Sequence, residues 1–177
     1  MDHRPSGHLP AAKLSMSEIH RRPATPDDEP FLFDLFCAVR AHEFALMPLA
    51  EPLKQQLIRM QYTAQKEGYS AEYPDSSFEI VLNGEAKIGR IWIARREDCF
   101  YLVDIAILPE TQNSGIGTNL VRELQHEAEL THKPVRLSVF RFNPGSIRFH
   151  ERLGFTVTHE DAIQFYYEWK PNQLIDQ

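Results

Sequence analysis

Cysteine is scarce in this chain. Only Cys37 and Cys99 occur among 177 residues. They form no CxxC pair, so neither a disulfide framework nor a structural zinc site is expected. The eight histidines show no metal-ligand spacing, and no metal is expected. This cysteine usage fits a reducing, cytoplasmic setting. No apolar run approaches the roughly 20 residues that span a bilayer, which argues against a membrane partner. Basic residues are also short, with 19 Lys and Arg against 25 Asp and Glu and a net charge of -6. Such a chain has no broad basic field for a nucleic-acid backbone, and a general DNA or RNA binder is disfavoured. No repeat and no low-complexity tract is present. The first fifteen residues lack the apolar stretch of a signal peptide.

What remains is enough for one globular domain: 42% of residues are hydrophobic and 11% aromatic. The expected division is a flexible leader over 1–16, a single domain over 17–172 and a short tail over 173–177. Met16 is an alternative start.

Hydrophobic spacing supplies the elements. Glu18 to Arg22 is a weak strand. A proline-rich acidic stretch follows, and its charge suits a helix N-terminus. Leu32, Leu35, Phe36 and Val39 place one apolar face on a helix over Phe31 to Phe44. A second helix runs from Leu53 to Gln65 and is ended by Gly68. Phe78, Ile80 and Leu82 then alternate as a strand. Asn83-Gly84 marks a hairpin turn, because both residues tolerate positive φ. Lys87 to Arg95 is the returning strand. Phe100 to Leu108 is an apolar run interrupted by Asp104, which reads as a strand buried on both faces. A helix over Gly115 to Leu130, a strand over Val135 to Val139 and a helix over Asn143 to Leu153 come next. Phe155 to Thr158 and Ile163 to Trp169 are the last strands, with Ile163, Phe165, Tyr167 and Trp169 on one face. This order predicts an α/β (mixed α+β) domain, a mixed sheet with helices on its faces. The Arg21-Arg22 pair reads as solvated.

The stretch that carries chemistry is Gln112-Asn113-Ser114-Gly115-Ile116-Gly117-Thr118. Here an apolar strand and Pro109 lead into a glycine-containing turn that opens a helix. The first amides of a helix have no partner within it, and its dipole adds positive potential. Gly115 and Gly117 remove side chains, so an anion can approach the backbone. Together these form a candidate pyrophosphate cradle. The segment is no Walker A loop, because no Gly-Lys-Ser/Thr follows, and it lacks the third glycine of a dinucleotide fingerprint.

The sequence from Leu102 to Phe155 resembles the GNAT N-acetyltransferase superfamily. The likeness rests on Asp104-Ile105-Ala106-Ile107-Leu108-Pro109-Glu110, on Gln112-Asn113-Ser114-Gly115-Ile116-Gly117, on Asn143-Pro144, and on His150-Glu151-Arg152-Leu153-Gly154-Phe155. The family's Arg/Gln-x-x-Gly-x-Gly/Ala pattern is met in full. The implied fold is a central, mostly antiparallel sheet flanked by helices. The implied cosubstrate is acetyl-CoA and the implied partner an amine acceptor, with a homodimer possible.

On this resemblance Ile105, Ala106 and Ile107 pair with the pantetheine arm. The amides from Gln112 to Thr118 hold the pyrophosphate, and Asn143 contacts the pantetheine. The strand Val135 to Val139 splays from the strand Phe100 to Leu108, and the thioester lies in the gap. A strand amide near Ile107 would serve the growing oxyanion. One position departs from the family pattern: His150 stands where a tyrosine is usual as the acid to the leaving thiolate. His150 is therefore a candidate acid, with Tyr101 or Tyr166 as alternatives. Asp104 is a candidate base acting through water, a residue supporting the site from behind, or a buried structural anchor hydrogen-bonded to a loop. Glu43 is a candidate for a cationic acceptor, and Arg148 and Arg152 for a CoA phosphate. The alternative to a transferase is a CoA-binding sensor or partner-binding module on the same fold. A third reading is a different nucleotide on the same cradle.

Overall fold

Ile19 to Pro23 forms β1, which pairs antiparallel with β2, Ser77–Asn83. The computed structural model describes residues 18–171, so the leader and the tail expected from the sequence lie outside the described residues. A single seven-stranded sheet organises the chain, in the order β1-β2-β3-β4-β5-β7-β6. The remaining strands are β3 (Ala86–Arg95), β4 (Phe100–Ile107), β5 (Val135–Phe140), β6 (Thr156–Glu160) and β7 (Gln164–Trp169). All neighbours are antiparallel except β4 and β5, which are parallel. The expected mixed sheet flanked by helices is the observed architecture.

Helices cover both faces of the first four strands. On one face lie α1 (Glu29–Val39), α2 (Ala41–Ala45) and α3 (Glu51–Glu72). Leu32, Phe36, Phe44, Ile58 and Tyr62 from these helices pack with Ile80 and Leu82. On the other face lie α4 (Ile116–Leu130) and α5 (Pro144–Arg152). Ile116, Leu120, Val121, Leu124 and Ala128 of α4 follow the helical period and bury against Ile91, Ile93, Phe100, Leu102, Val135 and Leu137.

Several boundaries differ from expectation, each for a local reason. The first predicted helix is two. Arg40 leaves the helical region (φ -112°, ψ 9°), and the chain turns so that Phe44 packs beside Phe36 at 5.9 Å. The second helix does not end near Gly68. It continues one turn further to Glu72, because Tyr62, Tyr69 and Tyr73 extend its packing face past the glycine. The interior glycine costs about 1 kcal/mol against alanine, which that packing offsets. In the hairpin, Asn83 pairs with Ala86, so the two turn residues are Gly84 and Glu85. Gly84 takes the positive φ of 58° and Asn83 does not.

Arg22 keeps partial contact with solvent but is also committed to an ion pair. It donates two hydrogen bonds, 2.7 and 2.8 Å, to the fully buried Asp28 carboxylate, which Lys87 also meets at 2.6 Å. Arg21 lies between Glu79 and Glu123. Ile163 is exposed and precedes the last strand, whereas Phe165, Tyr167 and Trp169 do share the core face. Both cysteines are free thiols.

Candidate active site

The sheet parts in its middle. β3 and β4 pair closely, and at Gly89 a Cβ would come within 2.5 Å of the Ala106 carbonyl. β4 and β5 pair only at Phe100 with Val135 and Tyr101 with Arg136. Beyond Tyr101 the strands separate. The backbone groups of β4 that face β5 then have no ladder partner. For this reason the middle of β4 is not buried on both faces, as the sequence suggested: Val103, Asp104 and Ile105 are half-buried. A bulge lies at the same level. Trp92 pairs with Asp104 and Ile93 with Leu102, which leaves Val103 as the extra residue. Such a bulge bends the strand and turns its side chains.

β4 leads through a short 3-10 turn, Pro109–Thr111, to the start of α4. Asn113 and Gly115 both take positive φ, 61° and 89°. The Gln112 amide donates to the Pro109 carbonyl at 3.3 Å, and its side chain donates to the Ile107 carbonyl at 2.8 Å. Ser114 Oγ donates to the Thr111 carbonyl. These bonds tie the loop to the end of β4. The helical ladder begins only when Asn119 donates to Gly115 at 3.0 Å. The six amides from Asn113 to Thr118 therefore have no acceptor among the described residues. A Cβ at Gly115 would meet nothing within 4 Å, so the concavity opens to solvent. Gly117 does something else: a Cβ there would touch the Phe149 ring of α5 at 3.5 Å. The first glycine shapes the turn that leaves these amides bare, and the second seats one helix against another.

α5 borders the gap from the other side. Asn143 Oδ1 caps it by accepting from the Ser146 amide at 3.0 Å, and the Asn143 residue itself is exposed. Arg148 and Arg152 are exposed on the same helix, with no carboxylate partner among the described residues.

His150 is 4% exposed. Its Nδ1 lies 2.9 Å from the Ser146 carbonyl, which can only accept, so the ring proton sits on Nδ1. Nε2 is then an acceptor, and it is sealed from solvent without a partner. The Phe149 and Phe155 rings stand edge-on to the imidazole. Burial pushes its pKa down to about 4, the Ser146 bond opposing only in part. A ring in this state donates to Ser146 alone.

Asp104 accepts from Arg90 Nε at 2.7 Å, and Arg90 Nη2 reaches Gln65 of α3 at 3.3 Å. The anchor of Asp104 is thus an arginine on the neighbouring strand, not a loop. A hydrogen-bonded guanidinium offsets the cost of placing a carboxylate there. Glu43 is exposed, and Arg40 three residues earlier holds its carboxylate at 3.1 Å. The structure therefore groups Ile105, Ala106, Ile107 and the loop from Gln112 to Thr118 along one seam. Glu43 is engaged by Arg40, the residue that precedes its helix.

The long α3 adds residues that the sequence reading passed over. Gln65, Tyr69, Glu72 and Tyr73 form a wall over Asp104 and Tyr101. The signal was present in the spacing Tyr62, Tyr69 and Tyr73, which keeps to one helical face across Gly68.

Several solved acetyltransferase structures share this fold. The PaiA N-acetyltransferase from Thermoplasma acidophilum, solved in complex with coenzyme A, is 22% identical with a TM-score of 0.66, over 86% of this chain and 98% of that one. An acetyltransferase from Thermus thermophilus is 19% identical with a TM-score of 0.61, over 86% and 96%. A GNAT family acetyltransferase from Elizabethkingia anophelis with acetyl-CoA bound is 15% identical with a TM-score of 0.56, over 86% and 98%. At these identities the likeness establishes the fold. The sequence goes further, because residues 40–155 match the profile of the acetyltransferase (GNAT) family. The chain belongs to that family. No curated protein sequence matches it.

Proposed function

We propose that the protein transfers acetyl from acetyl-CoA to a primary amine of a small molecule or peptide. The observation that carries this reading is the row of six unpartnered amides at the head of a sheet that has parted. The amides of Asn113 to Thr118 would hold the pyrophosphate. The free edge of β4 at Ile105, Ala106 and Ile107 would pair with the pantetheine arm as an added strand does. Asn143 borders the same arm. The amine attacks as a neutral nucleophile: a C–N bond forms, the C–S bond breaks, one proton leaves nitrogen and one reaches sulfur. A β4 amide facing the gap stabilises the oxyanion. In this reading Asp104, held by Arg90, takes the amine's proton through water.

The test has two stages. Acetyl-CoA, ATP and NAD are compared by thermal shift, and free thiol release is then followed over a panel of amines. A selective shift at a hundredfold excess over Kd adds about 2.7 kcal/mol of stability. Absence of a shift at millimolar acetyl-CoA overturns the cradle. Within the active protein, Asp104→Asn with normal turnover overturns the base.

A second reading draws on His150. Its Nε2 carries no proton and is closed off, so it has none to give to a departing thiolate. A chain that binds acetyl-CoA without turning over any amine would fit this. Selective binding with no thiol release across the amine panel would favour the sensor over the enzyme.

A further inference from the structure

Neither backbone nor packing requires the glycine inside α3. Gly68 is not among the positive-φ residues, and a Cβ there would meet nothing within 4 Å. It lies about one turn before the end of the helix at Glu72. What a glycine supplies at such a place is weakness, because it favours the unwound chain over the helix more than any residue except proline.

The helix is held differently on its two sides. Before Gly68, Ile58 and Tyr62 are buried against Leu32, Phe36, Ile80 and Leu82, and Gln65 accepts from Arg90 at 3.3 Å. After it, ring contacts make the join. Tyr69 stands edge-on to Trp92 at 5.6 Å, and Tyr73 stacks on Tyr101 at 5.3 Å. Among the described residues no backbone hydrogen bond ties residues 69–73 to the sheet. A turn at Pro74 and Asp75 follows, so the segment can bend at both ends. Arg96, between β3 and β4, closes over the stack, 4.9 Å from the Tyr73 ring and 5.8 Å from the Tyr101 ring.

This segment roofs the centre of the site. Trp92 pairs with Asp104, and Tyr101 is the last residue of β4 joined to β5. The Asp104 side chain beneath is only 19% exposed. A base that works through water needs a path by which the acceptor arrives. Once the acceptor is bound, it also needs bulk water kept from the thioester. A fixed roof supplies the second need and not the first.

We propose that Tyr69 to Tyr73 form a lid, hinged at Gly68 and latched by Arg96, which lifts from Trp92 and Tyr101 to admit the acceptor to Asp104. The purpose of the lid rests on the transferase reading, but its motion is measurable without turnover.

The experiment is amide hydrogen exchange, read residue by residue on the full chain and on two exposed-site variants. Amides 69–73 exchange together, at least about tenfold faster than amides 58–65, in a local opening that does not unfold the protein. Gly68→Ala slows this group by about fivefold, the helix penalty of a glycine expressed as a ratio. Arg96→Ala speeds it by about threefold, the share of an exposed cation–ring contact. A gradient of rates rising stepwise toward Glu72 is ordinary fraying and overturns the hinge. So does exchange of 69–73 only with global unfolding, or an Arg96→Ala variant whose 69–73 rates match the parent. Thiol release is then followed with whichever amine of the panel supports it, at saturating acetyl-CoA. Gly68→Ala lowers kcat/KM for the amine several-fold while its unfolding midpoint rises and its acetyl-CoA thermal shift stays the same. Unchanged release with slowed opening overturns the gate. Cooperative opening in a protein that releases thiol with no amine overturns the transferase reading and leaves the hinge and latch standing.

Discussion

The two halves of the sheet are built by opposite rules. β1 to β4 are closed: seven residue pairs join β3 to β4, helices cover both faces, and a fully buried carboxylate is locked between Arg22 and Lys87. β5, β7 and β6 join them through two residue pairs, and every residue of β6 is exposed. α4 packs against both β4 and β5 and so carries much of the connection. The difference teaches where an otherwise regular sheet leaves its backbone unpaired. Unsatisfied backbone is costly inside a protein. The β3–β4 ladder leaves none between those two strands, while the gap concentrates it along the other side of β4 and at the head of α4.

The largest expected effect is on the closed half. Asp28→Asn leaves Arg22 and Lys87 facing a buried neutral amide. It should cost about 3–5 kcal/mol in urea unfolding. The hydrogen bonds from Arg22, with further help from Lys87, hold the Asp28 carboxyl well below the usual carboxylate range. Its contribution is therefore complete above pH about 4 and is lost as acid is added below that. A variant as stable as the parent would show that the closed half does not depend on this charge.

His150 supplies the counterpart on the open half. Its folded pKa of about 4 lies below the ordinary histidine value of 6.5. The unfolded chain therefore binds more protons between those values. The stability that the neutral ring contributes is whole above pH about 6.5 and falls by about 3 kcal/mol as pH drops toward 4. His150→Phe should flatten that part of the pH–stability curve. With no proton on Nε2 to give, the same variant should leave thiol release per folded molecule unchanged; a selective fall in turnover would return the acid's role to His150.

Next in size is Gly89→Ala, which forces a Cβ against the Ala106 carbonyl and the Ile107 side chain. We expect a loss of about 1–3 kcal/mol as β3 and β4 are pushed apart. Equal stability would show that the closed pairing can give. The smallest effect on folding comes from Gly115→Ala, which strains a left-handed residue by about 1–2 kcal/mol. Its Cβ enters open space, so most of its consequence is for the ligand: the acetyl-CoA thermal shift should shrink while the unliganded protein remains folded. A full-sized shift would remove Gly115 from the cradle.

Legibility in the sequence followed locality. The strand, loop and helix from Phe100 to Leu130 could be read because their signals are contiguous: an apolar run, Pro109, and glycine at a helix start. The family pattern carried the rest of that seam. The wall over Asp104 was not legible, because Gly68 reads as a terminator and the helix in fact runs through it. A glycine penalty near 1 kcal/mol loses to three tyrosines packing on one face, but that packing is a tertiary fact. The partner of Asp104 was hidden for the same reason: Arg90 lies 14 residues away and meets it only across the β3–β4 ladder. For His150 the sequence showed the substitution, but not the burial that fixes its tautomer.

The outer strand has a consequence for how the protein behaves in concentrated solution. Among the described residues β6 presents a free edge along Thr156 to Glu160, with Val157 half exposed. An unpaired strand of this kind is a template for stacking copies into aggregates. Here the register slips between Val157 and His159, so Thr158 breaks the flat run, and the edge ends on a charged glutamate. Both devices discourage edge-to-edge growth. Removing Thr158 would straighten the edge, and turbidity on concentration is the property that should change first.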